Sequence, residues 1–541
     1  MLVQSIPLNK NNTLIEAYRQ GEADILNYFD YKPFSSYKAR YEAIKEQTYE
    51  REQLVSVLTK MNEAWGAPTS TMKQIERLKD ENSVVVIGGQ QAGLVSGPLY
   101  SLNKVISIIR LAKEQEAALK VPVIPVFWIA GEDHDYDEIN HMFTLRDEKL
   151  HKHTTKQQQV IKKSVSHIAL DKELTKEWLL TSFQDLQETV HTKDLYNRLT
   201  NCLEKATTFV DFFARVIFEL FQEEGLVLID AANEEVRALE SDYFKNIIEQ
   251  ERPIAESVYT SIQRLQQEGY TIPLEVEEAD AHLFYHDAQN ERVLLKRFAN
   301  DFVGKNDEVQ LTKEQLLNIA TETPEKLSNN VVTRPLMQEL LFPTLAFVSG
   351  DGEISYWAAL KGAFHAVGQK MPPVVPRLSF TYVTERLEKL LTQRVVSLEA
   401  AINQGTNAVK MNWLMAQETP PVTSLFEEAE RQLEMLHAPL QELVSDIAPN
   451  MQSESTRNLN YMKENLVYLQ RRIEQSLEEK YAIPMQQFTE IELFLHPNGV
   501  LQERVYTPLY FLNEYGFAWI EKLNQLEELS FEEEHYAVYL S

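Results

Sequence analysis

Residues 83–130 read SVVVIGGQQAGLVSGPLYSLNKVISIIRLAKEQEAALKVPVIPVFWIA. A β-branched run ends in two glycines and passes into a glycine-containing loop. Pro98 then stands where the first turn of a helix tolerates a missing N–H. The spacing predicts a helix from about Leu99 to Leu119 and, after it, a second buried strand in VPVIPVFWIA (121–130). Strand–loop–helix–strand is the building unit of a parallel α/β sheet. Strands of the same style recur further out: GLVLIDA (225–231), TLAFVSG (344–350) and PPVVPRLS (372–379), with helical stretches near Asn233 and over 354–367. Continuous apolar strands alternating with helices predict an α/β fold, a Rossmann-like doubly wound parallel sheet covered on both faces. This core is expected over residues 1–381. It begins with helices, including one over 37–62, and carries connecting inserts at about 151–224 and 250–330. HLFYHDAQNERVLLKR (282–297) reads as a hairpin within an insert rather than a part of the main sheet.

Residues 382–481 differ in kind. Gly405 is their single glycine. Apolar residues fall at three-to-four spacing in three runs: Leu387, Leu391, Leu398 and Ile402; Phe426, Leu433, Leu436, Leu440, Leu443 and Ile447; Leu459, Met462, Leu466, Leu469, Ile473 and Leu477. Narrow stripes of this kind predict three long helices in an α-helical coiled-coil domain. Pro420, Pro421 and Pro449 stand between the stripes, where helices break. The domain reads as a dimerisation arm for a homodimer, or as an intramolecular hairpin that binds nothing. Residues 482–541 return to mixed character and are expected to dock back on the core.

Composition removes several functions. The 541 residues carry 53 Lys and Arg against 81 Asp and Glu, a net charge of −28. That balance excludes the basic footprint of a general nucleic-acid binder. One cysteine, Cys202, forms neither an internal disulfide nor a thiolate metal cluster, and in its helical stretch it reads as a buried inert thiol. No secretory leader pattern opens the chain, and no apolar run is long enough to span a bilayer. A cytoplasmic protein without membrane contact is expected.

Four segments could carry chemistry. GGQQAGLVSGPLYSLNK (88–104) lies at a strand's carboxyl end and enters a helix, where ligands gather and anions are favoured. Within it Gln90 and Gln91 offer hydrogen bonds to a polar substrate, Gly93 and Gly97 allow close backbone approach, and Asn103 and Lys104 reach the same side. N–H groups near Gly97–Leu99 are expected to meet phosphate charge. GEDHDYDEINH (131–141), directly after Trp128, gathers Glu132, Asp133, His134, Asp135, Asp137, Glu138 and His141. If the segment is helical, His134, Glu138 and His141 share a face. Such a cluster suits amine binding, proton transfer or metal binding. Residues 331–362 place Arg334 beside a proline and bring Tyr356 and Trp357 after the Gly350–Asp351–Gly352 loop. Arg377 and Ser379 follow the next strand. HPNGVLQER (496–504) is a turn signal carrying His496, Asn498, Gln502 and Arg504.

Together these segments resemble the bacillithiol biosynthesis cysteine-adding enzyme family, over the whole chain and including the coiled coil. The resemblance implies a ligase that adds L-cysteine to the amine of glucosaminyl-malate, with a Rossmann core and a coiled coil that pairs two subunits. For such a reaction the residue chemistry makes Asp133, His134, Asp135 and Lys104 the candidate catalytic residues. An acidic residue over 133–137 would hold the cysteine ammonium, His134 or Asp135 would take the amine proton, and Arg334 or Arg377 would pair with the malate carboxylates. The HIGH and KMSKS strings with which the related aminoacyl-tRNA synthetases handle ATP do not occur. ATP or ADP is therefore a candidate cofactor only, with a second nucleotide site expected between Tyr382–Arg386 and the His496–Arg504 segment. No metal is predicted. Two rival readings are a metal-dependent hydrolase built on Asp133–His134–Asp135 and a non-catalytic coiled-coil scaffold with a degenerate nucleotide fold.

Overall fold

The computed structural model describes residues 1–9, 13–306, 308–417 and 421–540. Pro420, one of the expected helix breakers, lies outside the described residues. The chain forms two compact units, Met1–Thr384 with Val500–Ser541, and Glu385–Gly499.

The centre of the first unit is a five-stranded parallel sheet. Its strands, in chain order, are Val84–Gln90, Val123–Ile129, Val227–Asp230, Thr344–Ser349 and Val374–Pro376. In space the order is fifth, fourth, first, second, third. This is the Rossmann arrangement, and the order reverses between the first and fourth strands, so their carboxyl ends open a crevice. All five strands are buried almost throughout, which explains why they read as unbroken apolar runs instead of alternating ones. The helix expected after Pro98 spans Leu99–Leu119 and packs on the first two strands.

The long connection to the third strand holds the hairpin His141–Arg146/Lys149–Thr154 and the helices Lys172–Gln184, Thr192–Lys205 and Phe209–Leu220. The connection from the third to the fourth strand carries a separate antiparallel sheet in the order Gln310–Thr312, Asp301–Gly304, Arg292–Phe298, Asp280–His286, Leu327–Asn329. A third sheet closes the unit: Tyr536–Leu540 lies between the strand Leu2–Ser5, antiparallel, and Phe380–Thr384, parallel. Near the N-terminus the helix expected over 37–62 is two, Tyr37–Ile44 and Arg51–Trp65.

The second unit contains two long helices rather than three, Val422–Ile447 and Gln452–Leu495. They run antiparallel, as the pairs Glu434–Lys463 and His437–Asn458 show. The first stripe is divided into Glu385–Arg394, Leu398–Gln404 and Asn407–Met415. Left-handed backbone at Val395 (φ 55°) ends the first of these helices, Ser397 caps the next, and Gly405 (φ 72°) ends it. The boundary expected at 481 falls inside a continuous helix, where Tyr481 packs edge-on against Trp413. No described helix is long and apolar enough to cross a membrane.

Candidate active site

The crevice at the strand-order reversal is a cleft of about 530 Å³. It is lined by the ends of the first, second and fourth strands, by Arg334 and Tyr356, and by Arg377 and Arg504. The floor begins with two glycines whose requirement is internal. A Cβ at Gly88 would lie 2.7 Å from the Val348 carbonyl oxygen, and one at Gly89 would lie 2.6 Å from that of Trp128. Gly93 and Gly97 likewise serve the loop itself. A Cβ on Gly93 would meet the Gly97 Cα at 2.7 Å, and Gly97 has φ 73°. The N–H groups expected to meet phosphate are occupied: Gly97 donates to the Leu94 carbonyl and Leu99 to that of Tyr506, so this helix start is capped by protein. That corrects the expected phosphate cradle.

Lys104 is 1% exposed. Burial pulls its pKa down, and the neighbouring Glu353 opposes that shift. Its ammonium donates to the Gly89 carbonyl (2.8 Å), Gln90 Oε1 (3.2 Å) and Glu353 Oε2 (2.5 Å). All three donors are then used. Because an ammonium only donates, Gln90 must turn its oxygen to Lys104 and its amide nitrogen to Gln91 Oε1 (2.7 Å). Gln91 Nε2 in turn faces Glu138 Oε2 (3.1 Å) and Asp133 Oδ2 (3.4 Å). A polarised chain thus crosses the cleft floor from Glu353 to the two carboxylates.

The 131–141 segment is not the helix considered from sequence. Only Tyr136–Ile139 make a turn, and His141 starts a strand. His134 and His141 therefore do not share a helix face. Its Nδ1 receives a hydrogen bond from Arg292 (2.9 Å), and Arg292 also reaches Asp133 Oδ1 (3.5 Å). Arg292 comes from the insert sheet and is held by Ser328, the Asn329 carbonyl and the face of Phe284. Burial and this guanidinium lower the His134 pKa. Glu132 is buried and bound by Arg237, which also pairs with Glu240 (2.6 Å). Asp135 and Asp137 are exposed and do not line the cleft.

Also lining the cleft, Arg334 donates to the Tyr356 hydroxyl (2.7 Å) and lies 3.8 Å from Glu353. Its buried Nε has no partner among the described residues. Glu353 also accepts the Gly350 N–H (2.8 Å). Trp128 and Trp357 are core residues, the latter stacked on Phe347 at 4.3 Å. Asn103, Arg377 and Ser379 converge on one buried group that the motif reading passed over, Glu503. Arg377 binds it through both nitrogens (2.6 and 2.8 Å), Ser379 at 2.9 Å and Asn103 at 2.7 Å. Against the cost of burial, Arg377, with His535 and Asn103, holds the Glu503 pKa down at about 2. Beside it Arg504 is exposed at the cleft, and its guanidinium has no hydrogen-bond or ion-pair partner among the described residues.

The residues expected around a second nucleotide site divide between the units. Tyr382 and Gln502 belong to the first, where the Gln502 amide bonds both backbone groups of Tyr382. Arg386, His496 and Asn498 belong to the second; there Arg386 pairs with Glu490, and His496 Nδ1 lies 2.8 Å from the Ile402 carbonyl. Cys202 is buried with its thiol pushed up to about 12. Arg292 and Glu503 were not found from sequence. Glu503 sat inside a quoted turn motif, whereas Arg292 gave no signal, being one basic residue of a strand in an insert.

Comparison with known proteins agrees over the full length. The N-terminal Rossmann-like domain of bacillithiol biosynthesis BshC matches residues 1–378, and the C-terminal coiled-coil domain of the same family matches residues 380–540. Proteins named "Putative cysteine ligase BshC" are similar at 38% identity in Oceanobacillus iheyensis (100% of both chains) and 40% in Geobacillus thermodenitrificans (97% of this chain, 98% of the relative). A third, in Halalkalibacterium halodurans, is 38% identical over 97% of each.

Proposed function

This chain belongs to the bacillithiol biosynthesis BshC family, and from that premise we propose that it is a cysteine ligase whose cleft joins L-cysteine to the amine of glucosaminyl-malate. The observation that carries the reading is one cleft lined by both carboxylates and guanidinium groups. Asp133 and Glu138, both reached by Gln91 Nε2, form an acidic side, Arg334 and Arg504 line the same cleft with Glu353 beside Arg334, and the Lys104–Gln90–Gln91 chain fixes its floor. An amine and a dicarboxylate on one substrate suit this arrangement. The acidic side attracts the ammonium, and guanidinium groups pair with carboxylates through two parallel N–H bonds. Arg334 and Arg504 fit that task better than Arg377, whose fork is spent on Glu503. Lys104 serves as a fixed positive charge that orients the glutamines.

A carboxylate does not acylate an amine unaided, so the cysteinyl carboxyl must arrive activated. The Gly97 and Leu99 N–H groups of the 88–104 loop are bonded within the protein and are not offered to a triphosphate. The scheme therefore starts from an activated cysteinyl group, and ATP enters the test as the candidate activator. The hydrolase rival is disfavoured by a specific contact. The ligand atoms of Asp133, His134 and Asp135 lie within 4.8 Å of one another, yet Arg292 already places a cation on His134 Nδ1 and beside Asp133.

In the second unit the hairpin buries one seam and leaves another in solvent. Leu436 (72% exposed), Leu440, Leu443 and Ile447 (75%) stand on the first long helix, with Met462 and Leu469 on the second. This unpaired stripe supports a homodimer formed through the hairpin.

Incubation of the purified protein with L-cysteine, glucosaminyl-malate and ATP, followed by mass spectrometry, tests the activity. Bacillithiol with release of AMP or ADP is expected. Absence of the amide overturns the ligase reading, and amide without nucleotide breakdown removes ATP from the scheme.

A further inference from the structure

We infer that Glu138 accepts the proton from the attacking amine, and that Arg292 is a positioning residue that withdraws His134 from that task. The inference rests on the ligase reading above.

The argument begins with lone pairs. A guanidinium only donates, so its 2.9 Å contact requires an unprotonated Nδ1 on His134. The neutral ring then carries its hydrogen on Nε2, which has no lone pair left. Neither nitrogen can accept a proton unless the Arg292 contact breaks. Arg292 is itself locked by Ser328, Asn329 and Phe284, so the contact belongs to a built arrangement. His134 is also absent from the cleft lining, whereas Glu138 is part of it.

The carboxylates on the cleft differ in what restrains them. Asp133 Oδ1 receives the His134 backbone N–H (2.9 Å) and faces Arg292. Glu353 is held by Lys104 and the Gly350 N–H. Asp351 lies in the fields of Arg19 and Arg377. Glu138 receives one neutral amide bond, from Gln91, and has no cationic partner among the described residues. The groups that face it are the carboxylates of Asp133 and Asp135, the Gln91 amide and the Tyr100 phenol. Glu138 is exposed, and its partial desolvation, then Asp135 and Asp133, shift its pKa upward. A carboxylate so raised is the better proton acceptor near neutrality.

In the proposed step the neutral amine nitrogen attacks the carbonyl carbon of a cysteinyl–phosphate mixed anhydride. The C–N bond forms and the nitrogen gives its proton to Glu138. The C–O bond to phosphate breaks, and its electron pair leaves on the phosphate oxygen. Nothing is oxidised or reduced.

Steady-state pH profiles of the full-length enzyme decide the assignment. Glu138→Gln keeps an oxygen for Gln91 and should lower kcat by about 10²–10⁴-fold, the usual weight of general-base catalysis. KM for the amine should rise modestly, because Glu138 also belongs to the acidic side that attracts the ammonium, and the acid limb of the pH profile should vanish. Glu138→Asp, which retains a carboxylate, should recover part of kcat and the limb, with circular dichroism confirming that both variants fold. Wild-type kcat in Glu138→Gln, or an acid limb that survives there and disappears in His134→Gln, overturns the assignment while leaving the ligase reading intact. A wild-type protein that forms no amide from the three substrates overturns both.

Discussion

Glu503 shows how much one buried carboxylate can organise. Its two oxygens hold Arg377, Ser379 and Asn103, so it fixes the edge of the cleft without facing a ligand. Removing one partner of a buried pair leaves the other charge uncompensated, at a cost of about 3–5 kcal/mol. Glu503→Gln should lower stability by that order in urea unfolding at neutral pH. The sign of the pH effect follows from a pKa held down at about 2. The stabilisation is complete above the ordinary glutamate value and disappears as pH falls from there toward 2. The gap between wild type and variant should therefore narrow over that window, and a gap independent of pH would remove the charge from the explanation. Arg377 and Ser379 were legible as polar residues after a strand, and Asn103 as one in the first turns of the helix after Pro98. Sequence could not show that they face one another, because the partner of Arg377 lies 126 positions away.

At the level of elements, glycines at the same site do different things. Gly88 and Gly89 stand where neighbouring backbone leaves no room for a Cβ, whereas a Cβ at Gly352 would meet nothing within 4 Å. Gly88→Ala and Gly89→Ala should each cost about 1–3 kcal/mol by overpacking. Gly352→Ala, within a short helix, should leave thermal stability within about 1 kcal/mol of wild type. Equal melting temperatures across the three variants would defeat the distinction. The strands and the Leu99–Leu119 helix were legible because burial on both faces and Pro98 leave local marks in the sequence. The 131–141 segment was not. Its residues suit a helix, but the segment turns at once into the His141–Arg146 strand, a tertiary demand that overrides local preference.

For the whole molecule, heptad-like spacing revealed the long helices but not which stripe would pair within the chain. Leu433 and Leu459 are half-buried in the hairpin, while Leu436, Leu440, Leu443 and Ile447 stand out from the same helical run. Two apolar stripes on one helix need two partners, and the hairpin supplies one. If a second copy supplies the other, charge on that stripe should block association without disturbing the fold, since those side chains are already in solvent in the single chain. Leu436→Lys combined with Leu440→Lys and Ile447→Lys should convert a dimer to a monomer of 62.6 kDa by light scattering, with helical content unchanged. A wild-type protein that is monomeric at micromolar concentration, or a triple variant that remains dimeric, would show that the exposed stripe is not the contact. The candidate cleft lies wholly within the first unit, so the monomeric variant should also keep the wild-type chemistry. A loss of kcat on dissociation would mean that the partner subunit completes the site.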